Sequence, residues 1–227
     1  MKIKPHRRAL ICLGALCFHL LATAQPSICS SGLDATEKGR NEEAIPLLTS
    51  CLALQLPPRV RSAALQARAV SLLEAKRAEE ALFDQLEAFT LVPPTSSVAL
   101  ANLSAIQRAL GRFDEALATL KKAQTIDDGP PGSGPGMAVW YHTGLTYMAM
   151  KRYMNAVTAF TTGIPKQPGY AAAYYQRGLA YEALGAMEQA VRDFQQAASL
   201  SSPEGEFPPE YLEKLKAHGI TMLGPKQ

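Results

Sequence analysis

The sequence predicts an all-α solenoid of about five helix pairs, and three observations carry that prediction. A seven-residue pattern recurs along the chain: Gly111-Arg112-Phe113-Asp114-Glu115-Ala116-Leu117 returns as Lys151-Arg152-Tyr153-Met154-Asn155-Ala156-Val157 and as Gly185-Ala186-Met187-Glu188-Gln189-Ala190-Val191. Fainter echoes run from Lys76 to Leu82 and from Lys38 to Ile45. The spacing is that of a structural unit, since Gly144 to Gly178 and Ala156 to Ala190 are each 34 residues. Within the copies apolar residues fall three and four apart, as in Leu179, Tyr181, Leu184, then Met187, Ala190, Val191 and Phe194. That is helical spacing, and no alternating strand pattern competes with it.

One copy reads Trp140, Thr143, Gly144, Tyr147, Ala156, Phe160 and Pro168, and the next reads Tyr174, Arg177, Gly178, Tyr181, Ala190 and Phe194, with Pro203 one residue late. Weaker copies run through Leu100, Leu103, Ser104, Ala116 and Leu120, and through Leu65, Ala69, Leu72, Ala81 and Pro93. The first holds Ile28, Gly32, Ala35, Ala44 and Leu48. This pattern resembles the tetratricopeptide repeat family, in which W-x2-L-G-x2-Y, A-x3-F and a closing Pro lie on two antiparallel helices. The resemblance is specific in the last two copies and degenerate in the first two. It implies a right-handed superhelix. The side-chain sizes agree: small residues at Gly144, Gly178, Ala156 and Ala190 face the large rings of Trp140, Tyr147, Tyr174, Tyr181, Phe160 and Phe194. One pair of helices leaves an apolar face uncovered, so stacking of neighbours makes the core.

Taken in order, residues 1–24 read as a cleavable signal peptide: a basic start from Lys2 to Arg8, an apolar run from Ala9 to Leu21, and Ala22-Thr23-Ala24 before Gln25. The run is short for a membrane span, which needs roughly 20 apolar residues, although an uncleaved anchor is the competing reading. Leu16 before Cys17 does not resemble a lipoprotein signal, which needs a small residue there. The solenoid is expected over 25–204, with approximate repeats at 25–58, 62–95, 97–130, 137–170 and 171–204. In the first repeat Ser30, Ser31, Gly32 and Pro46 are poor helix formers. Between repeats three and four, residues 127–136 are too rich in Pro and Gly to be helical, and form either a long turn or a hinge. Residues 205–227 make a capping helix and tail: Pro208 and Pro209 start it, Tyr211, Leu212 and Leu215 share a face, and Gly219 stops it. A helix offered to a partner is the alternative.

Four cysteines are present, but Cys12 and Cys17 lie in the leader, leaving Cys29 and Cys51. An even count in an oxidising compartment reads as one disulfide, and antiparallel pairing of two helices brings these positions together. Two thiols without a nearby histidine pair cannot complete a zinc site, since only His142 and His218 follow the leader. The formal charge of +3 also belongs to the leader, where Lys2, Lys4, Arg7 and Arg8 have no acidic neighbour. The remainder is close to neutral, which removes the electrostatic footprint of nucleic-acid or anionic-lipid binding.

The sequence carries no H-E-x-x-H, G-x-S-x-G, G-x-x-x-x-G-K-[ST] or C-x-x-C motif. An enzyme, a cofactor, a metal and a small-molecule substrate are therefore not expected, and His142 reads as a surface or groove residue. What remains is a surface. The resemblance implies a concave face lined by the first helix of each repeat, and the matching contact positions include Gln66, Asn102, Arg108, Tyr141, His142, Met148, Tyr175, Gln176 and Glu182. Tyr141 and Tyr175 are 34 residues apart and hence equivalent. Tyr and Arg supply large contact areas with hydrogen-bonding tips. The positions matching the family's Lys and Asn carboxylate clamp hold Gln66, Val70, Ala101 and Ala105, so that binding mode is not expected. The expected function is an exported, periplasmic or secreted, non-catalytic adaptor that binds a peptide or helix of an envelope protein. A structural subunit that self-associates into a homo-oligomer through its repeats is the alternative.

Overall fold

The computed structural model describes residues 27–130, 132–200, 213–214 and 216–219. The expected signal peptide lies outside them, as do Pro208, Pro209, Tyr211, Leu212 and Leu215 of the expected cap. Ten α-helices run through the described residues in five antiparallel pairs: α1 (Ser27–Glu37) with α2 (Asn41–Leu52), α3 (Pro58–Glu74) with α4 (Ala78–Leu91), α5 (Ser97–Ala109) with α6 (Phe113–Ala123), α7 (Met137–Ala149) with α8 (Tyr153–Gly163), and α9 (Ala171–Ala183) with α10 (Met187–Leu200). Each second helix also packs on the first helix of the next pair, and α1, α3, α5, α7 and α9 form one row. This is an all-α solenoid.

The turn inside each pair has one recurring conformation. Gly39, Lys76, Gly111, Lys151 and Gly185 occupy the same place in the five turns, and all have positive φ, from 57° to 75°. Beside each of them the next amide reaches back past the turn, as in Arg40 N to Ala35 O at 2.8 Å and Arg152 N to Tyr147 O at 2.8 Å. This is a Schellman ending, which satisfies carbonyls that the helix leaves open. Four of the five second helices, all but α8, then begin with acids that suit the helix dipole: Glu42 and Glu43, Glu79 and Glu80, Asp114 and Glu115, and Glu188.

Inside a pair, close approach depends on absent side-chain atoms. A Cβ on Gly144 would stand 2.4 Å from the Phe160 ring, one on Gly178 2.6 Å from Phe194, and one on Gly32 2.8 Å from Leu48. Phe160, Phe194 and Leu48 are fully buried. The Ser-Ser-Gly run of the first repeat thus includes a packing residue. Pro46 is held inside α2, and Cys29 and Cys51 are joined by a disulfide with a Cα–Cα distance of 5.0 Å. Both cysteines are buried in the core of the first two repeats, beside Leu33, Leu48, Ala64 and Leu65. A cross-link over 22 residues contributes about 3 kcal/mol in the chain-entropy account.

One boundary differs from the sequence reading. α3 starts at Pro58 rather than near residue 62, because Pro suits the first helical position and Pro57 supplies the extended entry. The 127–136 loop is tied down by its two aspartates. Asp128 accepts hydrogen bonds from Ser97 N at 3.1 Å, from Ser97 Oγ, and from Gly136 N at 2.8 Å, so one carboxylate ties the start of α5 to the start of α7. Asp127 accepts from Gly132 N and Gly134 N at 2.8 and 2.7 Å, and these bonds hold its carboxyl below the usual range. Lys166 anchors the loop's far side through Ser133 O at 2.7 Å.

At the C-terminal end, the described residues 213, 214, 216 and 217 are helical. They dock on the last pair through Lys214 and His218, which reach the two Glu182 oxygens at 2.7 and 3.2 Å, while the His218 ring lies 5.2 Å from that of Phe194.

Candidate functional site on the first-helix face

The row of first helices brings the expected contact residues onto one side but not to one depth. Arg108, Tyr141, Met148 and Gln176 are partly exposed and run across α5, α7 and α9. Gln66 on α3 is also partly exposed, with its amide donating to Ser62 Oγ at 3.2 Å. Three others are corrections to the sequence reading. Asn102, His142 and Tyr175 are only 3%, 5% and 3% exposed, so they lie beneath the surface and cannot offer contact area. Tyr175 packs against Phe194 at 5.5 Å between centroids. Its counterpart Tyr141 instead packs edge-on to Tyr170 at 5.1 Å and to His142 at 5.7 Å and keeps part of its ring at the surface. The equivalent positions diverge in their ring partners, Tyr170 beside Tyr141 and Phe194 beside Tyr175. Glu182 is occupied by Lys214 and His218.

The centre of the face is electrostatically unusual. Arg108 lies near the end of α5, with Tyr141 and His142 of α7 on one side and Glu74 of α3 on the other, close enough to act on its charge. Burial lowers its pKa, and the fields of Tyr141 and Glu74 partly offset this. Its Nε is buried without a hydrogen-bond partner. His142 is held neutral, its pKa pushed down to about 3 by burial first and by the Arg108 charge second. Its Nδ1 and the Asn102 Oδ1 are likewise buried without partners.

A pH dependence follows from His142. The unfolded chain binds a proton on this residue near pH 6.5 and the folded chain does not until about pH 3. The unfolded state therefore carries more protons between those values, and stability falls as pH falls. Between pH 7.5 and pH 5 the loss from this group is about 2 kcal/mol. Thermal melts at the two pH values should show that drop in the wild type and a clearly smaller one in His142→Leu.

Sequence reasoning missed two charged anchors. Arg68 donates Nε and Nη2 to Asp84 at 2.7 and 2.8 Å and Nη1 to Thr49 Oγ1 at 3.0 Å. Arg177 repeats this arrangement with Asp193 at 2.7 and 2.8 Å and Thr161 Oγ1 at 3.1 Å. Each Arg sits where the repeat pattern expects Leu, and its Asp follows 16 residues later. The Thr belongs to the second helix of the preceding pair, so each guanidinium joins three helices. Beside the first anchor, on the second-helix side, Ile45, Thr49, Leu72, Arg77 and Phe83 line a shallow recess, with Phe83 68% exposed.

The tetratricopeptide repeat profile matches residues 99–131 and 141–204. This chain is a tetratricopeptide repeat protein. No curated protein sequence matches it. Among solved structures, a crystal structure of MamA is 24% identical over 82% of this chain and 96% of its own, with a TM-score of 0.54. A structure of MamA AMB-1 is 15% identical, covers 77% of this chain and 98% of its own, and gives a TM-score of 0.55. YrrB, described as a TPR protein with an unusual peptide-binding site, is 15% identical over 87% of this chain and 93% of its own, at 0.53. At these identities the likeness to solved structures shows the fold, and tetratricopeptide repeats are scaffolds for protein interaction. Among the described residues no helix is long and apolar enough to cross a membrane, and no three His, Cys, Asp or Glu side chains group to hold a metal.

Proposed function

We propose that this tetratricopeptide repeat protein is an exported, non-catalytic adaptor that holds an extended segment or helix of an envelope protein along its first-helix face. The observation that carries the reading is the run of partly exposed Arg108, Tyr141, Met148 and Gln176 across three adjacent first helices. Aromatic, Arg and Met side chains are the types enriched where proteins bind proteins. In this family that face is concave, and YrrB offers a peptide-binding precedent on the same fold. Export is supported by the basic, apolar and Ala-x-Ala parts of residues 1–24 and by the pairing of Cys29 with Cys51, which suits an oxidising compartment such as the periplasm.

A photo-crosslinking amino acid at position 141, compared with one at the exposed Thr158 on α8, tests the reading in the native envelope. Crosslinks to a second protein from position 141 and not from 158 are expected. Crosslinks only between copies of this chain would overturn the adaptor reading in favour of self-association. A partner captured only from position 158 would move the interface to the second-helix side.

A further inference from the structure

We propose that the bound segment carries an Asp or Glu side chain that pairs with Arg108 at the middle of the first-helix face. This rests on the adaptor reading and names the chemistry of its partner.

Seven of the nine other described arginines meet a carboxylate, and the two that do not, Arg59 and Arg152, are exposed to water. Arg40, Arg61, Arg68, Arg77 and Arg177 each reach a carboxylate, at 2.8 Å from Asp34, 2.9 Å from Glu87, 2.7 Å from Asp84, 2.6 Å from Glu80 and 2.7 Å from Asp193. Arg108 is more withdrawn from water than a surface side chain, yet among the described residues no carboxylate comes within ion-pair distance of it, and its Nε lacks any acceptor. A guanidinium in that state carries a desolvation cost with no compensating bond. An arriving carboxylate recovers it through charge-assisted, planar hydrogen bonds, which are stronger beside the Tyr141 ring than in bulk water.

The surroundings choose among anions. Glu74 on α3 already sets one negative charge close to Arg108, so the local balance favours a single further charge over a doubly charged phosphate. Position chooses the source of the carboxylate. α5 is the third of five first helices, with Gln66 on α3 to one side and Met148 and Gln176 on α7 and α9 to the other. An internal acidic side chain lets the segment continue both ways, whereas a chain terminus pinned at Arg108 leaves half of the face unused.

The test uses the disulfide-bonded exported protein and a random library of short synthetic peptides blocked at both ends, selected against the wild type, Arg108→Gln, Arg108→Lys and Tyr141→Ala. The wild type should select peptides with Asp or Glu at one internal position, and Glu→Gln there should weaken binding by about tenfold or more. Arg108→Gln should bind the Glu and Gln peptides alike, Arg108→Lys should keep part of the preference, and Tyr141→Ala should weaken both peptides without changing their ratio. Melting curves confirm that each variant is folded, and Arg108→Lys carries the comparison if Arg108→Gln is not. Selected peptides with no acidic preference, or with the same Glu-to-Gln ratio in Arg108→Gln, overturn the role of Arg108 and leave the adaptor reading standing. A preference confined to free C-termini in an unblocked library overturns the internal side chain as the source. A library that yields no binder to the wild type overturns both readings.

Discussion

Replacing Asp84 by Ala should lower the unfolding free energy by about 2–3 kcal/mol, because it removes the buried counter-charge and two hydrogen bonds of a guanidinium that only partly reaches water. Asp84 is 2% exposed and Arg68 21%, and the guanidinium spends two of its three nitrogens on that carboxylate and the third on Thr49. The Asp84 hydrogen bond is the largest reason that the Arg68 pKa is raised, so charge and geometry point the same way. Urea unfolding of the single variant measures the cost. The informative comparison is Arg68→Leu with Asp84→Leu. The third repeat holds Leu103 and Thr119 at these places and packs without an ion pair. Removing both charges should therefore restore most of the loss. A single variant as stable as the wild type would mean that water or another group satisfies Arg68.

Phe160→Ala should cost about 3–5 kcal/mol, the range for truncating a buried aromatic ring. Phe160 is fully buried, lies against the Cα of Gly144, and packs near Tyr141 with ring centroids 6.0 Å apart. Gly144→Ala alone should cost about 1–3 kcal/mol, since its Cβ would enter the ring at 2.4 Å and α7 and α8 would have to separate. In the Phe160→Ala background the same methyl group enters the vacated space. The double variant should then be less destabilised than the sum of the two singles. Additive costs would show that glycine serves the helix backbone rather than the approach of the ring.

Much of this architecture can be read from the chain because the repeat forces one solution on several segments. Gly144 with Phe160 and Gly178 with Phe194 show the pairing of helices directly, since only a missing side chain tolerates so close a ring. The Cys29–Cys51 pair was legible from the cysteine count and the antiparallel pairing of the first two helices. The charged anchors were not. An Arg in a Leu position reads as a surface residue until the Asp 16 residues on and the Thr of the preceding pair are brought against it. The clasp at Asp128 was hidden likewise, because a Gly- and Pro-rich loop says nothing about which amides its carboxylates meet.

The candidate site divides along the same line. Sequence periodicity assigns residues to the first helices and to the repeat positions that share a face, because helical period and repeat length are local properties of the chain. It places Arg108, Tyr141 and Met148 on that face. Depth is a property of neighbours. His142, Asn102 and Tyr175 sink below the surface according to what the next helix brings, and Glu182 is taken by Lys214 and His218, more than 30 residues further along the chain. That Arg108 forms no ion pair among the described residues is likewise visible only once the helices are packed. The order, length and pairing of the helices are thus set by short-range pattern, while burial, charge balance and the exposed part of the binding face are decided by packing between helices far apart in the chain.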